Sequence, residues 1–275
     1  MPTPTDVFDL NAVARDVVSS LDRHRQIPAF SHSPGAPGIA DAYALPALLR
    51  SAFEARGETI TGRKIGFTNR QMWPVYGVDA PIWGYCTNRT THALKTATVQ
   101  SMGRFTEPRI EPEIMFGLGK TPSPELDDSG LLDCIAWVAL GYEIVQSIFP
   151  DWKFTAFDSI AANGLHGALL IGDRHAIAPR KEAWQRELAS FTVELACDGQ
   201  PSQTGGGAHV LGSPLQALRH LVDLLANDPH NPPLCAGEII STGTLTLAMP
   251  VHAGDTWTTR VRGIPLDDIT VRFEA

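Results

Sequence analysis

The chain has 275 residues, 43% of them hydrophobic and 19% charged, which suits one large globular domain or a main domain with a small appendage. Its net charge is −8 and its pI is near 5.5, which argues against nucleic acid or an anionic membrane as the main partner. A small anionic substrate stays compatible with that balance, because a bound cation reverses the local field.

The N-terminal Met1-Pro2-Thr3-Pro4-Thr5-Asp6 has no basic segment leading into an apolar core, and no apolar run reaches membrane-spanning length, so a cytoplasmic protein is expected. Leu10, Val13, Ala14, Val17, Val18 and Leu21 recur at helical spacing and predict an amphipathic first helix. The Pro-, Ser- and Gly-rich stretch 26–38 reads as a loop. Asp41 is placed to cap a second helix with Tyr43, Leu45, Leu48, Leu49 and Phe53 as its apolar stripe and Pro46 near its first turn. These helices form an expected N-terminal helical layer, residues 1–58.

From residue 59 to 275 the texture is that of a β body. Strand-like runs cover Ile60–Phe67, Ala97–Met102, Ile110–Gly117, Val138–Val145, Ala168–Ile171, Ser190–Cys197, Glu238–Leu247 and Thr256–Val261. Pro112 cannot donate a ladder hydrogen bond, so its strand is expected at an edge or at a bulge. Ser213-Pro214-Leu215-Gln216 reads as an N-cap, a first-turn proline and a capping-box glutamine, opening a helix with Leu215, Leu218, Leu221, Val222 and Leu225 buried. The whole reads as one α+β unit, a mainly β body with peripheral helices. Cys86, Cys134, Cys197 and Cys235 lack Cys-x-x-Cys spacing, so they read as buried thiols of a reducing compartment and not as a zinc site.

Glu111 and Glu113 lie two apart in Arg109-Ile110-Glu111-Pro112-Glu113-Ile114-Met115-Phe116, so a strand projects them from one face. Glu143 lies in the apolar run Ala139-Leu140-Gly141-Tyr142-Glu143-Ile144-Val145. Buried carboxylates are costly alone and repel one another, and a divalent cation with oxygen ligands relieves both penalties. The competing reading is a solvated acidic turn with Glu107 as a fourth member and Glu143 paired to an arginine. Lys64, flanked by Gly62 and Gly66, is either a surface lysine or an acid–base group with a depressed pKa. Asp79 is a turn residue or the orienter of a water, and Gly205-Gly206-Gly207 a flexible segment or an anion nest. His166 reads as a hydrogen-bonded structural histidine, and His209 is ambiguous. Arg63, Arg70, Arg109 and Lys153 are candidates for a substrate's distal carboxylate, each with a surface-cation alternative.

The segments Gly62–Thr68, Glu111-Pro112-Glu113, Gly141–Val145, Gly207–Pro214 and Ala236–Gly243, in this order and spacing, resemble the 2-keto-4-pentenoate hydratase family. That family also contains 2-oxo-3-hexenedioate (4-oxalocrotonate) decarboxylases and sits in the fumarylacetoacetate hydrolase superfamily. The resemblance runs from Asp41-Ala42-Tyr43 to the last strands. It implies a mixed β-roll with outer helices and a Mg²⁺ or Mn²⁺ ion on Glu111, Glu113 and Glu143. It further implies an active-site Lys64, proton handling by Asp79, and substrate-binding positions at Asp158, Lys153, Leu165, Thr242 and Gly243. The chain departs from the family pattern at Ala162, where aspartate is usual, at Leu165, where serine is usual, and at Pro46, where glutamine is usual.

The implied activity is a metal-dependent lyase on a small 2-oxo or 2-hydroxydienoic acid. Hydration of a 2-hydroxypenta-2,4-dienoate-type substrate in aromatic catabolism comes first, with decarboxylation of a 2-oxo-3-hexenedioate as the alternative. An acylpyruvase-like C–C hydrolase is disfavoured because His24, His92 and His175 have no glutamate three residues on. The implied partners are further copies of the chain or a related hydratase or decarboxylase subunit.

Overall fold

The computed structural model describes residues 8–275, so the reading of Met1–Asp6 lies outside the described residues. Helix α1 (Leu10–Arg23) is capped by Asp9, whose side chain accepts the Asn11 N–H, and it buries Val13, Ala14 and Val17. The second helical stretch is two helices, α2 (Ile39–Ala42) and α3 (Ala44–Ala55), so Asp41 lies inside the first and caps neither. Leu45, Leu49 and Phe53 supply the buried stripe of α3. Then come α4 (Trp73–Tyr76), α5 (Asp128–Asp133), α6 (Ala156–Ala161), α7 (Lys181–Ser190) and α8 (Pro214–Ala226). Ser213 caps α8 by accepting the Leu215 N–H, but Gln216 does not close a capping box; its amide reaches Asp128 on α5.

The strands among the described residues are, in chain order, β1 (Ile60–Gly66), β2 (Ile82–Thr87), β3 (Thr91–Ala93), β4 (Val99–Ser101), β5 (Arg109–Leu118), β6 (Ile135–Val145), β7 (His166–Ile171), β8 (His175–Ala176), β9 (Thr192–Cys197), β10 (Gln203–Gly206), β11 (Ile239–Thr244), β12 (Met249–Pro250), β13 (Thr256–Arg262) and β14 (Ile269–Glu274). Among the described residues they make a mixed nine-stranded sheet, ordered β2-β1-β11-β5-β6-β7-β3 with β12 and β8 attached, and a five-stranded sheet, β10-β9-β13-β14-β4. The fold is α+β, with the long β5–β6 hairpin at the middle of the larger sheet.

Strand alternation divides that hairpin. Ile110, Ile114, Phe116, Val138, Leu140, Tyr142 and Ile144 enter the main apolar core. Met115 and Ala139 join Cys86, Leu169 and Ile171 in a smaller cluster on the other side. Glu111, Glu113 and Glu143 fall in phase with that second face.

Pro112 is in neither an edge nor a bulged strand, since β5 pairs with β11 on one side and β6 on the other. Its carbonyl accepts the Leu245 N–H on the β11 side, so its missing donor faces that side as well. There β11, not β5, carries the bulge: the register passes from Ser241↔Met115 to Thr244↔Glu113, one residue more on β11. Gly205 and Gly206 lie in β10, and Gly207 follows; a Cβ at any of the three would strike a backbone carbonyl, so close packing and not anion binding explains the run. Cys86, Cys134 and Cys197 are buried and unpaired, whereas Cys235 is exposed. Among the described residues no helix is long and apolar enough to cross a membrane.

Candidate metal centre

Glu111 stands opposite Glu143 in the β5–β6 register, and Glu113 opposite Gly141, where the Met115 side chain and the Leu170 carbonyl pack against the backbone. One ligand atom from each of Glu111, Glu113 and Glu143 lies within 4.8 Å of the others. Like charges placed directly across a pair of strands destabilise it, so the trio is not explained by folding alone. The acidic-turn reading fails, because these residues lie on interior strands. Glu107 is exposed and its carboxylate accepts the Asp151 N–H instead of joining the cluster.

Each buried carboxylate has one oxygen tied to the protein. Glu113 Oε2 accepts the Ser241 hydroxyl at 2.6 Å and the Gly243 N–H at 2.8 Å, while Oε1 is buried without a hydrogen-bond partner. Glu143 Oε1 lies 2.8 Å from His166 Nδ1. Its Oε2 is 3.2 Å from Lys64 Nζ, an ion-pair distance without hydrogen-bond alignment. The bulge supplies one of these donors. Gly243, at φ +99°, turns its N–H onto Glu113, and a Cβ there would strike Thr68 Oγ1. Orphaned, inward-facing carboxylate oxygens on an all-oxygen donor set fit a hard divalent cation.

The electrostatics agree with that fit. Burial raises the pKa of Glu111 to about 7, helped by Glu143 and opposed by Lys64. Burial, then Glu143 and Glu111, pushes Glu113 well above the carboxylate range. Burial disfavours the charge on Lys64, but Glu143, Glu111 and Glu113 together hold its pKa above the ordinary lysine value. The depressed lysine pKa expected from its apolar neighbours does not arise, because the three carboxylates brought beside it by the fold outweigh the effect of burial. Lys64 Nζ also donates to the Gly164 carbonyl at 2.8 Å.

That carbonyl is presented by a strained turn. Asn163, Gly164 and Leu165 all have positive φ, at +56°, +65° and +63°. The Asn163 amide pins the turn to β2: its oxygen accepts the Tyr85 N–H and its nitrogen donates to the Tyr85 carbonyl, both at 2.8 Å.

The cluster opens into a cavity lined by Lys64, Gly66, Phe67, Asn69, Met72, Tyr76, Ile82, Glu111, Val145, Trp152, Gly164, Leu165, Thr244 and Ala248, among others. Beyond Lys64 and Glu111 this wall is uncharged. Arg109 is not part of it; its guanidinium sits 4.1 Å from the Trp152 ring centroid and donates to the Tyr76 hydroxyl at 3.3 Å, behind two wall residues.

The other expected site residues scatter. Asp79 is exposed in a bend after α4 and does not line the cavity. Lys153 is exposed and pairs with Asp151, and Arg70 is likewise exposed. Asp158 is fully buried, and its carboxylate accepts from Ser31 N and Oγ and from Thr155 N and Oγ1, so it completes the capping box of α6 with Thr155 and both of its oxygens are engaged within the protein. The Thr242 hydroxyl is turned into the sheet and donates to the Ile114 carbonyl. His209 contacts the Leu245 carbonyl. Sequence reasoning missed Ser241 and the wall residues Met72, Tyr76, Trp152 and Ala248, and it missed that His166 touches Glu143. The only sequence signal for His166 was its place beside the departures at Ala162 and Leu165.

Residues 66–271 match the family described as fumarylacetoacetate (FAA) hydrolase C-terminal. The chain is 30% identical to a 2-hydroxyhexa-2,4-dienoate hydratase of Comamonas testosteroni over 227 residues, 82% of this chain and 83% of the relative. It is 29% identical to a 4-oxalocrotonate decarboxylase of Pseudomonas sp. (strain CF600) over 257 residues, 93% and 92% of the two chains. The structure of a 4-oxalocrotonate decarboxylase from Pseudomonas putida G7, complexed with magnesium and adipate, superposes with a TM-score of 0.85 at 26% identity and covers 96% of this chain and 97% of that one. With the carboxylate cluster on the sheet that carries the fold, these similarities make the chain a member of the fumarylacetoacetate hydrolase family.

Proposed function

We propose that the protein is a divalent-metal-dependent lyase that hydrates a 2-hydroxy-2,4-dienoic acid with an uncharged tail. One observation carries the choice of substrate: the cavity is lined at one end by Lys64 and Glu111, with Glu113 and Glu143 clustered behind Glu111, and is walled elsewhere by uncharged side chains. Glu111, Glu113 and Glu143 would hold the cation, Mg²⁺ or Mn²⁺ by the oxygen character of the set. When bound, it supplies a Lewis acid for the 2-oxygen of an α-oxo carboxylate.

The chain's own residues do the rest. Lys64 Nζ, fixed by the Gly164 carbonyl and by Glu143, is the cationic group that lines the cavity beside the carboxylates and holds a proton at the 2-oxygen end of the substrate. Phe67, Met72, Val145, Trp152, Leu165 and Ala248 exclude bulk water from the hydrocarbon tail. Leu165, where the resemblance calls for serine, adds apolar surface to that wall.

The second reading is decarboxylation of a dicarboxylic 2-oxo acid. It is favoured by the overall superposition on the adipate-complexed decarboxylase and disfavoured by a wall with no cation to meet a distal carboxylate. Incubation with 2-hydroxypenta-2,4-dienoate and with 2-oxo-3-hexenedioate, with products read by mass spectrometry, separates the two. Hydration gives one product heavier by a water, and decarboxylation gives CO₂. Treatment with EDTA should abolish turnover, and Mg²⁺ or Mn²⁺ should restore it; turnover undiminished in EDTA defeats the metal-dependent reading.

A further inference from the structure

His166 is buried, at 4% exposure, as the first residue of β7, and both of its ring nitrogens are engaged. Nδ1 lies 2.8 Å from Glu143 Oε1, and Nε2 lies 2.9 Å from the Thr90 hydroxyl. The local backbone makes this possible. The β6–β7 register slips between Ile144 and Val145, which lets His166 pair opposite Val145 while its ring reaches back to Glu143. Gly167 follows, where a Cβ would collide with the Ile144 carbonyl, so the two strands approach closely just beside the ring.

A carboxylate oxygen can only accept, so the contact with Glu143 requires a proton on Nδ1. The Thr90 hydroxyl can donate to Nε2 or accept from it, and it is itself fixed by the Thr87 backbone: it accepts the Thr87 N–H at 3.1 Å and lies 3.3 Å from the Thr87 carbonyl. The Nδ1–H therefore points at Glu143 whether the ring is neutral or charged. Glu143 is rotationally fixed as a result, with Oε1 engaged and Oε2 directed to the cluster beside Lys64.

We propose that His166, held by Thr90, is the positioning residue that locks the Glu143 carboxylate in its metal-ligating orientation. The proposal rests on the reading of Glu111, Glu113 and Glu143 as a metal site. It is the counterpart on β6 of what Ser241 and the Gly243 N–H do for Glu113 on β5. Donors that orient a ligating group typically change metal affinity by about 10–100-fold when removed.

The test is direct Mn²⁺ binding, read from the free-ion EPR signal in titrations of the metal-free full chain, with a melting curve of each variant. His166→Ala should weaken Mn²⁺ binding by about 10–100-fold. His166→Asn keeps an amide N–H close to the Nδ1 position and should bind within about threefold of the unmodified chain. A residue with a purely packing role would lower the melting temperature in both variants and leave the affinities equal. Thr90→Val, which removes only the anchor of the ring, should lose affinity in the same direction by a smaller factor; it decides the matter if His166→Ala does not fold. Equal Mn²⁺ affinity in the unmodified chain and in the folded histidine and threonine variants overturns the assignment while leaving the metal site standing. Failure of the unmodified chain to bind Mn²⁺ more tightly than Glu113→Ala overturns the metal site and the assignment together.

Discussion

Strand β1 presents two neighbouring cations to opposite sides, and their surroundings differ. Arg63 is buried against Glu238, donates to the Pro232 carbonyl, and lies over the Tyr85 ring at 4.9 Å. That is one cation facing one carboxylate, an arrangement of matched charge even though Arg63 Nε is buried without a partner. Lys64, the next residue, faces three carboxylates and balances one charge against them. A balanced buried pair has a structural role, and breaking it leaves a stranded charge. An unbalanced cluster with orphaned oxygens is incomplete without a further positive charge. The two faces separate fold from function within a single dipeptide.

The largest expected effect breaks the structural side. Arg63→Ala strands Glu238 and should cost about 3–5 kcal/mol of stability, read as a shifted denaturation midpoint, with the kcat of the folded fraction near that of the parent. Glu113→Ala sharpens the functional side. It removes a proposed ligand of the cation and should lower kcat by about 10²–10³-fold with weakened metal binding, while the relief of like-charge repulsion offsets the lost bonds from Ser241 and Gly243, so the metal-free protein should melt closer to the parent than Arg63→Ala does. Equal stability losses in the two variants would erase the distinction between the faces.

The third variant tests a carboxylate that resembles the functional ones by burial but not by bonding. Asp158 has four donors from Ser31 and Thr155 and no orphaned oxygen. Asp158→Ala should behave as the loss of a helix cap, costing about 0.5–2 kcal/mol of stability, with Mn²⁺ affinity unchanged. A tenfold loss of metal affinity in this variant would move Asp158 to the functional side.

These contrasts also mark what the sequence could reveal. Glu111 and Glu113 were legible because a period of two puts them on one face whatever the strand's neighbours are. Glu143 was legible as charge inside an apolar run. Lys64 was legible as a position, but its raised pKa depends on β11, which brings Ser241 beside it in parallel register and β5 one strand further on. Pro112 was read as an edge signal because a missing donor is a local fact, whereas the bulge that accommodates it belongs to β11, more than a hundred residues away. Asp158 was matched by motif, yet Thr155 three residues earlier forms a capping box with it, a local signal that went unread, and its other partner Ser31 lies 127 residues earlier where no spacing points to it. The contact of His166 with Glu143 hangs on a single register slip in β6–β7. One-residue shifts reverse which face a side chain occupies, and spacing in sequence does not specify them.

The smallest expected effect is one of pH, and it follows from the unbalanced face alone. Glu111 has its pKa raised from 4.5 to about 7 by burial and by Glu143, and Glu113 is shifted in the same direction. An acid with a raised folded-state pKa binds its proton more tightly folded than unfolded. The metal-free protein is therefore most stable below the unfolded value near 4.5, as far as these groups are concerned, and loses that contribution as pH rises toward about 7 and beyond. Lys64, also raised, acts only above its ordinary value of 10.5 and does not offset the trend in this window. The melting temperature of the metal-free chain should accordingly fall by a few degrees between pH 5 and 8 relative to Glu111→Gln, which cannot ionise. Saturating Mg²⁺ should flatten or invert the slope, because the cation binds the deprotonated carboxylates and its affinity rises with pH. The same slope in the parent and in Glu111→Gln would show that Glu111 is not the origin of the trend, and the same slope in a variant with Glu113→Gln as well would remove the contrast in charge balance between the two faces of β1.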